Sequence, residues 1–164
     1  MVLLIMGVSG SGKSSLSKLL ADRFSFQYID ADDHHPRANI DKMKYGIPLD
    51  DEDRAPWLKE LNRLMREVDV KQDIVLACSA LKKDYRELLL EGVEDSYLIY
   101  LKGSFETISE RLVNRSGHFM KEDMLSSQFE DLEVPNNADL ILDIEQPLEE
   151  LLEIIKHQIL QSNE

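Results

Sequence analysis

Cysteine is nearly missing from this chain: Cys78 stands alone among 164 residues. One thiol cannot close an internal disulfide, so stability has to come from core packing, and this usage agrees with a reducing compartment. By residue type Cys78, at the end of an apolar run, is a small buried strand residue and not a nucleophile. Long apolar runs are missing too. None approaches the roughly 18 to 20 residues that span a bilayer, and Val2 to Met6 leads into a glycine loop instead of a signal-peptide cleavage site. A cytoplasmic protein with no membrane partner is the expectation. Cations are scarce, with 19 Lys and Arg against 32 Asp and Glu and a formal charge of −13. Such a chain repels nucleic-acid backbones unless a basic patch is concentrated locally, so no nucleic-acid partner is expected. Repeats, low-complexity tracts and linkers are absent as well.

What is present reads as one globular domain over residues 1–164, with 43% hydrophobic and 31% charged residues. Val2 to Met6 is a continuous apolar run, as in a strand buried on both faces. It is followed by Gly7 and then by a helical stripe through Leu16, Leu19, Leu20 and Phe24. Further short apolar segments stand at 26–29, 74–77, 97–101 and 140–144, each separated from the next by helix-length stretches. Five strands alternating with helices imply an α/β fold on a parallel sheet.

Asp50 with Asp53 forms a capping pair ahead of a stripe of Trp57, Leu58, Leu61, Leu64, Met65 and Val68, ending before Lys71. That stripe, Trp57 included, reads as core. Ser104 caps a helix carrying Ile108 and Leu112, and Pro147 suits the first turn of the last helix. Between Asn114 and Asp123 the pattern loosens around Gly117, where a mobile flap fits.

The strongest chemical signal is GVSGSGKS, which satisfies G-x-x-x-x-G-K-[ST] with Gly7, Gly12, Lys13 and Ser14, and adds Gly10 inside the loop. Glycines let the backbone of Gly7, Val8, Ser9, Gly10, Ser11 and Gly12 turn its N–H groups toward phosphate oxygens. The following helix, opening with Ser14 and Ser15, adds its positive end. Lys13 would bridge the β- and γ-phosphates of ATP and Ser14 would give a hydroxyl to Mg2+.

Several nucleotide-dependent classes are excluded. The chain has neither the D-x-x-G nor the N-K-x-D element of a GTPase, and 74–77 ends in Cys78 and Ser79, not in the carboxylate of a motor ATPase. The acids come after the second strand instead, as Asp30-Ala31-Asp32-Asp33. In extended backbone Asp30 and Asp32 project the same way, at the carboxyl edge of the sheet beside the loop. Asp30 is assigned to the metal and Asp32 to the base that accepts the proton of the attacking hydroxyl.

The chain also resembles the gluconate kinase family, through MGVSGSGKS (6–14), HPRANIDKM (35–43), GIPLDDEDRAPWL (46–58), CSALKKDYRELL (78–89), IYLKGSFETISERL (99–112) and GHFMKEDMLSSQFEDLEVP (117–135). The resemblance covers nearly the whole chain. It implies the nucleoside-monophosphate-kinase type of P-loop fold, a three-layer sandwich with a helical substrate-binding insert near 35–70 and a lid near 114–130. It also implies transfer of the γ-phosphoryl group of ATP to D-gluconate and a homodimer. The middle residue of Asp30-Ala31-Asp32 departs from relatives that have glycine there, and neither carboxylate is lost.

Gluconate carries one carboxylate and several hydroxyls, so its pocket needs cations at one end. Candidates are His35, Arg37, Arg54, Lys82 and Arg86. Arg54 lies near a helix start, where a cation opposes the dipole, which favours ligand contact over a surface role. Lys82 and Arg86 are four apart on one face, which could turn to the cleft or to solvent. His35 before Pro36 either binds a substrate hydroxyl or stabilises its loop. Ser79 either caps the next helix or touches substrate. Arg111 and Arg115, four apart ahead of the flap, either close on the transferring phosphates or decorate the helix surface.

Overall fold

All five strands run parallel in the order β2-β3-β1-β4-β5, in a computed structural model that describes residues 1–67, 72–116 and 122–161. The strands are β1 (Val2–Met6), β2 (Gln27–Asp30), β3 (Ile74–Ala77), β4 (Ser96–Lys102) and β5 (Leu140–Asp143). Between them lie α1 (Lys13–Phe24), α2 (Arg37–Lys44), α3 (Asp51–Glu67), α4 (Lys83–Leu90), α5 (Phe105–Ser116), α6 (Glu122–Asp131) and α7 (Leu148–Ile155), the last continuing as a π-helical turn, Lys156–Leu160. A 3-10 turn, Ala31–His34, follows β2. Val68, the expected end of α3 before Lys71, and residues 117–121 of the expected flap lie outside the described residues.

β1 is central, flanked by β3 (Leu4 opposite Leu76) and β4 (Leu4 opposite Leu98). All five of its residues are buried because both faces of the sheet are covered. Leu3 and Ile5 join one core with Leu16 and Leu20 of α1, Ile108 of α5, Leu125 of α6 and Leu152 of α7. Val2, Leu4 and Met6 face the other, with Trp57, Leu58 and Leu61 of α3 and Leu89 of α4. The period of two along β1 therefore separates two helical layers, giving the three-layer sandwich. Trp57, Leu58, Leu61 and Met65 of the α3 stripe are core as expected, Leu64 is only half-buried, and Cys78 is buried with its thiol pushed up to about 12 by desolvation.

Local chemistry sets the element boundaries. The Asp50–Asp53 pair forms reciprocally, Asp53 N donating to Asp50 Oδ1 at 2.8 Å and Asp50 N to Asp53 Oδ2 at 3.1 Å. Ser104 Oγ caps α5 by accepting from Thr107 N at 3.1 Å. Pro147 stands one position earlier than expected, as the N-cap of α7. Ser79 does not cap α4, which corrects one of the two roles left open for it. The helix begins at Lys83, after a turn in which Ala80 has φ 45°, and its first N–H is capped from far away by Glu133 Oε2 at 2.8 Å.

Candidate active site

The glycine loop leaves the carboxyl end of the central strand, where the two halves of the sheet diverge and a ligand can approach between them. Gly10, the additional glycine of the motif, adopts φ +81°, and a Cβ there would meet Leu112 Cγ of α5 at 2.8 Å. The position therefore needs glycine both for its left-handed backbone and for the close approach of α5. Gly12 is the N-cap of α1, and Ser11 is buried. Lys13 Nζ folds back on the loop and donates to Val8 O at 3.0 Å. Burial pushes its ammonium below the usual value, against the upward pull of Cys78, Asp32 and Asp30.

Ser14 Oγ donates to Asp30 Oδ2 at 3.3 Å, and the same carboxylate oxygen accepts from Tyr28 OH at 2.8 Å. Two oxygens this close, one from the first turn of α1 and one from the end of β2, suit two positions of one Mg2+ shell. Mg2+ takes few protein ligands and completes its octahedron with water and phosphate oxygens.

Asp32 arrives beside this pair by a different route from the one its spacing suggests. The chain leaves β geometry after Asp30, whose Oδ1 accepts from Asp32 N at 3.1 Å and caps the 3-10 turn. Asp32 is thus carried by a turn, not by a period-two strand, and its side chain is 87% exposed. The turn is anchored underneath: Trp57 Nε1 donates to Ala31 O at 2.8 Å. His35 stacks on the Trp57 ring at 4.1 Å and 16°, and its Nε2 lies 3.9 Å from Asp32 Oδ1. Asn39, buried in α2, donates to Asp53 O at 3.0 Å and lies 3.3 Å from His35 Nδ1. Burial holds the His35 imidazole below its ordinary value, with Asp32 pulling upward and Arg54 downward.

The remaining candidates divide. Arg54 donates to Tyr85 OH at 3.0 Å, and Lys82 pairs with Asp51 at 3.2 Å. Both cations lie over the Tyr85 ring, at 5.5 and 5.6 Å from its centre. Tyr85 OH in turn bonds Asp51 Oδ1. This is a compact cationic corner between α3 and the start of α4. Arg86 is not on a face shared with Lys82, which corrects the helical-spacing argument: Lys82 is the N-cap, outside the helix. Arg86 is buried, donating to Ala80 O and Leu81 O at 2.9 Å each. Its guanidinium clamps the turn before α4. Ser79 is half-buried, its carbonyl accepting from Gly7 N at 3.4 Å. Arg37 is 87% exposed and pairs with Asp41 along α2.

On the other side of the loop a cavity of about 540 Å³ is lined by Gly10, Gly12, Ser15, Arg111, Asn114 and residues 145–148. Arg111 also donates to Ile144 O, tying α5 to the end of β5. The side chain of Arg115 lies outside the described residues. Gln128 of α6 reaches the loop, accepting from Ser9 N at 2.7 Å and donating to Ser9 Oγ at 2.9 Å.

A phosphate loop, a Ser and Asp pair that could hold a metal and a separate exposed carboxylate are the parts that phosphoryl transfer needs, and comparison with known proteins narrows the class. The shikimate kinase family profile matches residues 9–157. The thermoresistant gluconokinase of Escherichia coli K12 is 45% identical over 163 residues, covering 94% of this chain and 93% of its own. The thermosensitive gluconokinase of the same organism is 47% identical over 133 residues, covering 80% and 71%. The crystal structure of a gluconokinase from Sinorhizobium meliloti 1021 superposes with a TM-score of 0.86 at 38% identity, covering 98% of this chain and 91% of that one.

The chain belongs to the gluconokinase family. It is therefore an ATP-dependent kinase, and the P-loop kinase fold expected from the sequence is the fold observed. Likeness to gluconokinases along nearly the whole chain also explains the family profile: shikimate kinase shares the core from residue 9 onward. Four residues that contact the candidate site residues were not among the candidates read from the sequence. Asn39 and Gln128 lie inside the strings HPRANIDKM and SSQFEDLEVP, where only the i,i+4 spacing from His35 to Asn39 offered a signal. Tyr28 lies within the apolar segment 26–29 and Tyr85 within the string CSALKKDYRELL, and no local signal sets either apart.

Proposed function

We propose that this chain transfers the γ-phosphoryl group of ATP to the 6-hydroxyl of D-gluconate, giving 6-phosphogluconate and ADP. The observation that carries the reading is the placement of Asp32. It is an exposed carboxylate on a turn pinned by Trp57, within electrostatic reach of Lys13 in the phosphate loop and of His35, which Arg54 also faces. The geometry supports Asp32 as the group that orients the hydroxyl and takes its proton, while Arg54 and Lys82 receive the sugar-acid carboxylate at the other end. His35 and Ser79 stand on the substrate side. Arg37 and Arg86, one paired on the surface and one spent on the turn, have weaker support as substrate contacts.

Lys13 and the loop N–H groups hold the phosphates. The cavity at Arg111, Asn114 and residues 145–148 suits the adenosine half of ATP. Ser14 and Asp30 would hold Mg2+, which when bound supplies charge neutralisation between the β- and γ-phosphoryl groups. Arg115 completes the proposed catalytic set from the end of α5. The chain is read as one domain, with 35–70 as the insert on the substrate side and 114–130 as the lid. A cytoplasmic homodimer in D-gluconate catabolism is the setting that the resemblance implies.

The test is incubation with magnesium-ATP and a panel of gluconate, shikimate, glycerate, glucose and AMP, following ADP and identifying the product by mass. Gluconate-dependent ADP with matching 6-phosphogluconate is the expected result. Phosphorylated shikimate would favour the activity named by the family profile and overturn the pocket assignment. In the same assay Asp32→Asn is expected to lower kcat at least about a hundredfold while ATP binding stays within about threefold of the parent.

A further inference from the structure

A carbonyl oxygen can only accept, so Asp53 O determines how the buried Asn39 amide is oriented. Nδ2 has to face that carbonyl at 3.0 Å, since the reverse orientation would set oxygen against oxygen. The second hydrogen of the same Nδ2 then points to His35 Nδ1, 3.3 Å away. A nitrogen facing an N–H donor has to be the unprotonated one. His35 is therefore left with its proton on Nε2, the nitrogen that lies 3.9 Å from Asp32 Oδ1.

From this chain of contacts we propose that Asn39 is a positioning residue: it holds His35 in the Nε2–H tautomer, and His35 in turn presents that N–H to Asp32. The proposal rests on the reading of Asp32 as the group that handles the substrate hydroxyl proton.

The surroundings leave the ring little freedom. The His35 side chain is 6% exposed and stacked on Trp57, and Trp57 is bonded to the turn that carries Asp32. Ring, turn and carboxylate are thus held from one indole. Asn39 is 3% exposed, so its amide has no water to fall back on if either partner is lost. Asp53 does not wander either, because Lys42 Nζ binds both of its carboxylate oxygens at 2.7 Å and Asp50 caps it. The charged groups that face the ring are Asp32 on the turn and Arg54 on α3. At 3.9 Å the contact to Asp32 is longer than a hydrogen bond, and one side-chain rotation of an exposed carboxylate closes it; contacts of this kind commonly tighten once substrate is in place. An N–H donor on one carboxylate oxygen leaves the other oxygen free to accept from the sugar-acid hydroxyl.

Nitrogen-15 NMR of uniformly labelled protein at pH 8 reads the tautomer directly, with the His35 signals assigned by comparison with His35→Gln. The expected result is a protonated Nε2 and a bare Nδ1. A ring protonated at Nδ1 would overturn the assignment without reference to any activity. The kinetic arm uses Asn39→Asp, which is nearly isosteric and replaces the donor with an acceptor. Its kcat with gluconate is expected to fall at least about tenfold, with the KM for ATP within about twofold. In a His35→Gln background, where the side-chain N–H no longer depends on a tautomer, adding Asn39→Asp is expected to change kcat less than about twofold. An unchanged kcat in the single variant, or equal losses in both backgrounds, would sink the positioning role. Asp32→Asn separates the two ideas: full activity there would refute the reading of Asp32 and leave the tautomer result standing. If Asn39→Asp does not fold, the NMR measurement on the parent still decides the assignment.

Discussion

At the scale of single residues, the site is governed by which polar groups are buried and which are exposed. Lys13 and Arg86 are both cations in a chain with a net charge of −13, yet one bonds a carbonyl of the phosphate loop and the other two carbonyls of the turn before α4. Residue type could not separate them, because what separates them is the turn around Ala80, which brings two carbonyls to the Arg86 guanidinium. His35 carries a consequence for pH. Burial lowers its folded-state value below the ordinary 6.5, so the unfolded chain takes up a proton first as pH falls. The native state is therefore expected to lose stability as pH drops through the usual histidine range, until the folded ring titrates too. Denaturant titrations between pH 8 and pH 5 should show this slope in the parent and a shallower one in His35→Gln. Equal slopes would mean that the ring is not desolvated in the way its burial indicates.

At the scale of elements, the phosphate loop was the most legible feature, because its spacing is a local property of eight consecutive residues. What the spacing did not contain is the reason for Gly10, which lies in the packing of α5: Leu112 and Ile108 close over that residue. Gly46 offers a control, since it has φ +70° with open space around it. Gly46→Ala is expected to cost about 1 kcal/mol of backbone strain alone. Gly10→Ala should cost more, about 2 to 3 kcal/mol, and should also weaken ATP binding by displacing the loop from α5. Thermal unfolding and nucleotide titration of the two variants measure both effects. Similar losses in the two would show that crowding by α5 is unimportant. Helix starts were legible in proportion to how local their caps are. Asp50, Asp53 and Ser104 act within their own turns, whereas α4 is capped by Glu133, fifty residues away in sequence.

At the scale of the whole molecule, one indole connects α3 to the turn that carries Asp32. Trp57 packs in the core below the sheet, donates to Ala31 O and supports the His35 ring, so one side chain ties α3 to the Asp32 turn. Trp57→Phe keeps most of the packing and removes the donor. It is expected to destabilise the fold by about 2 kcal/mol, because a buried carbonyl is left without its partner. It should also lower kcat more than it raises the KM for ATP, since the loop itself is untouched. Chemical denaturation and steady-state kinetics on the same preparation check both parts. A stability loss with unchanged kcat would separate the indole from the chemistry.

By itself the amino-acid sequence determined the five-strand α/β plan, the phosphate loop, the acidic pair after β2 and the likeness to gluconokinases. Each of these is written in residues that are neighbours along the chain, where periodicity and spacing report directly on backbone geometry. Only the tertiary structure decided that Asp32 rides on a 3-10 turn, that Arg86 is spent on backbone carbonyls, and that Gln128 reaches Ser9 from α6. It alone also brought Asn39 between Asp53 and His35. These contacts arise when distant segments are packed together and every buried donor has to find an acceptor. That requirement is met across the whole molecule, and no local pattern along the chain records how.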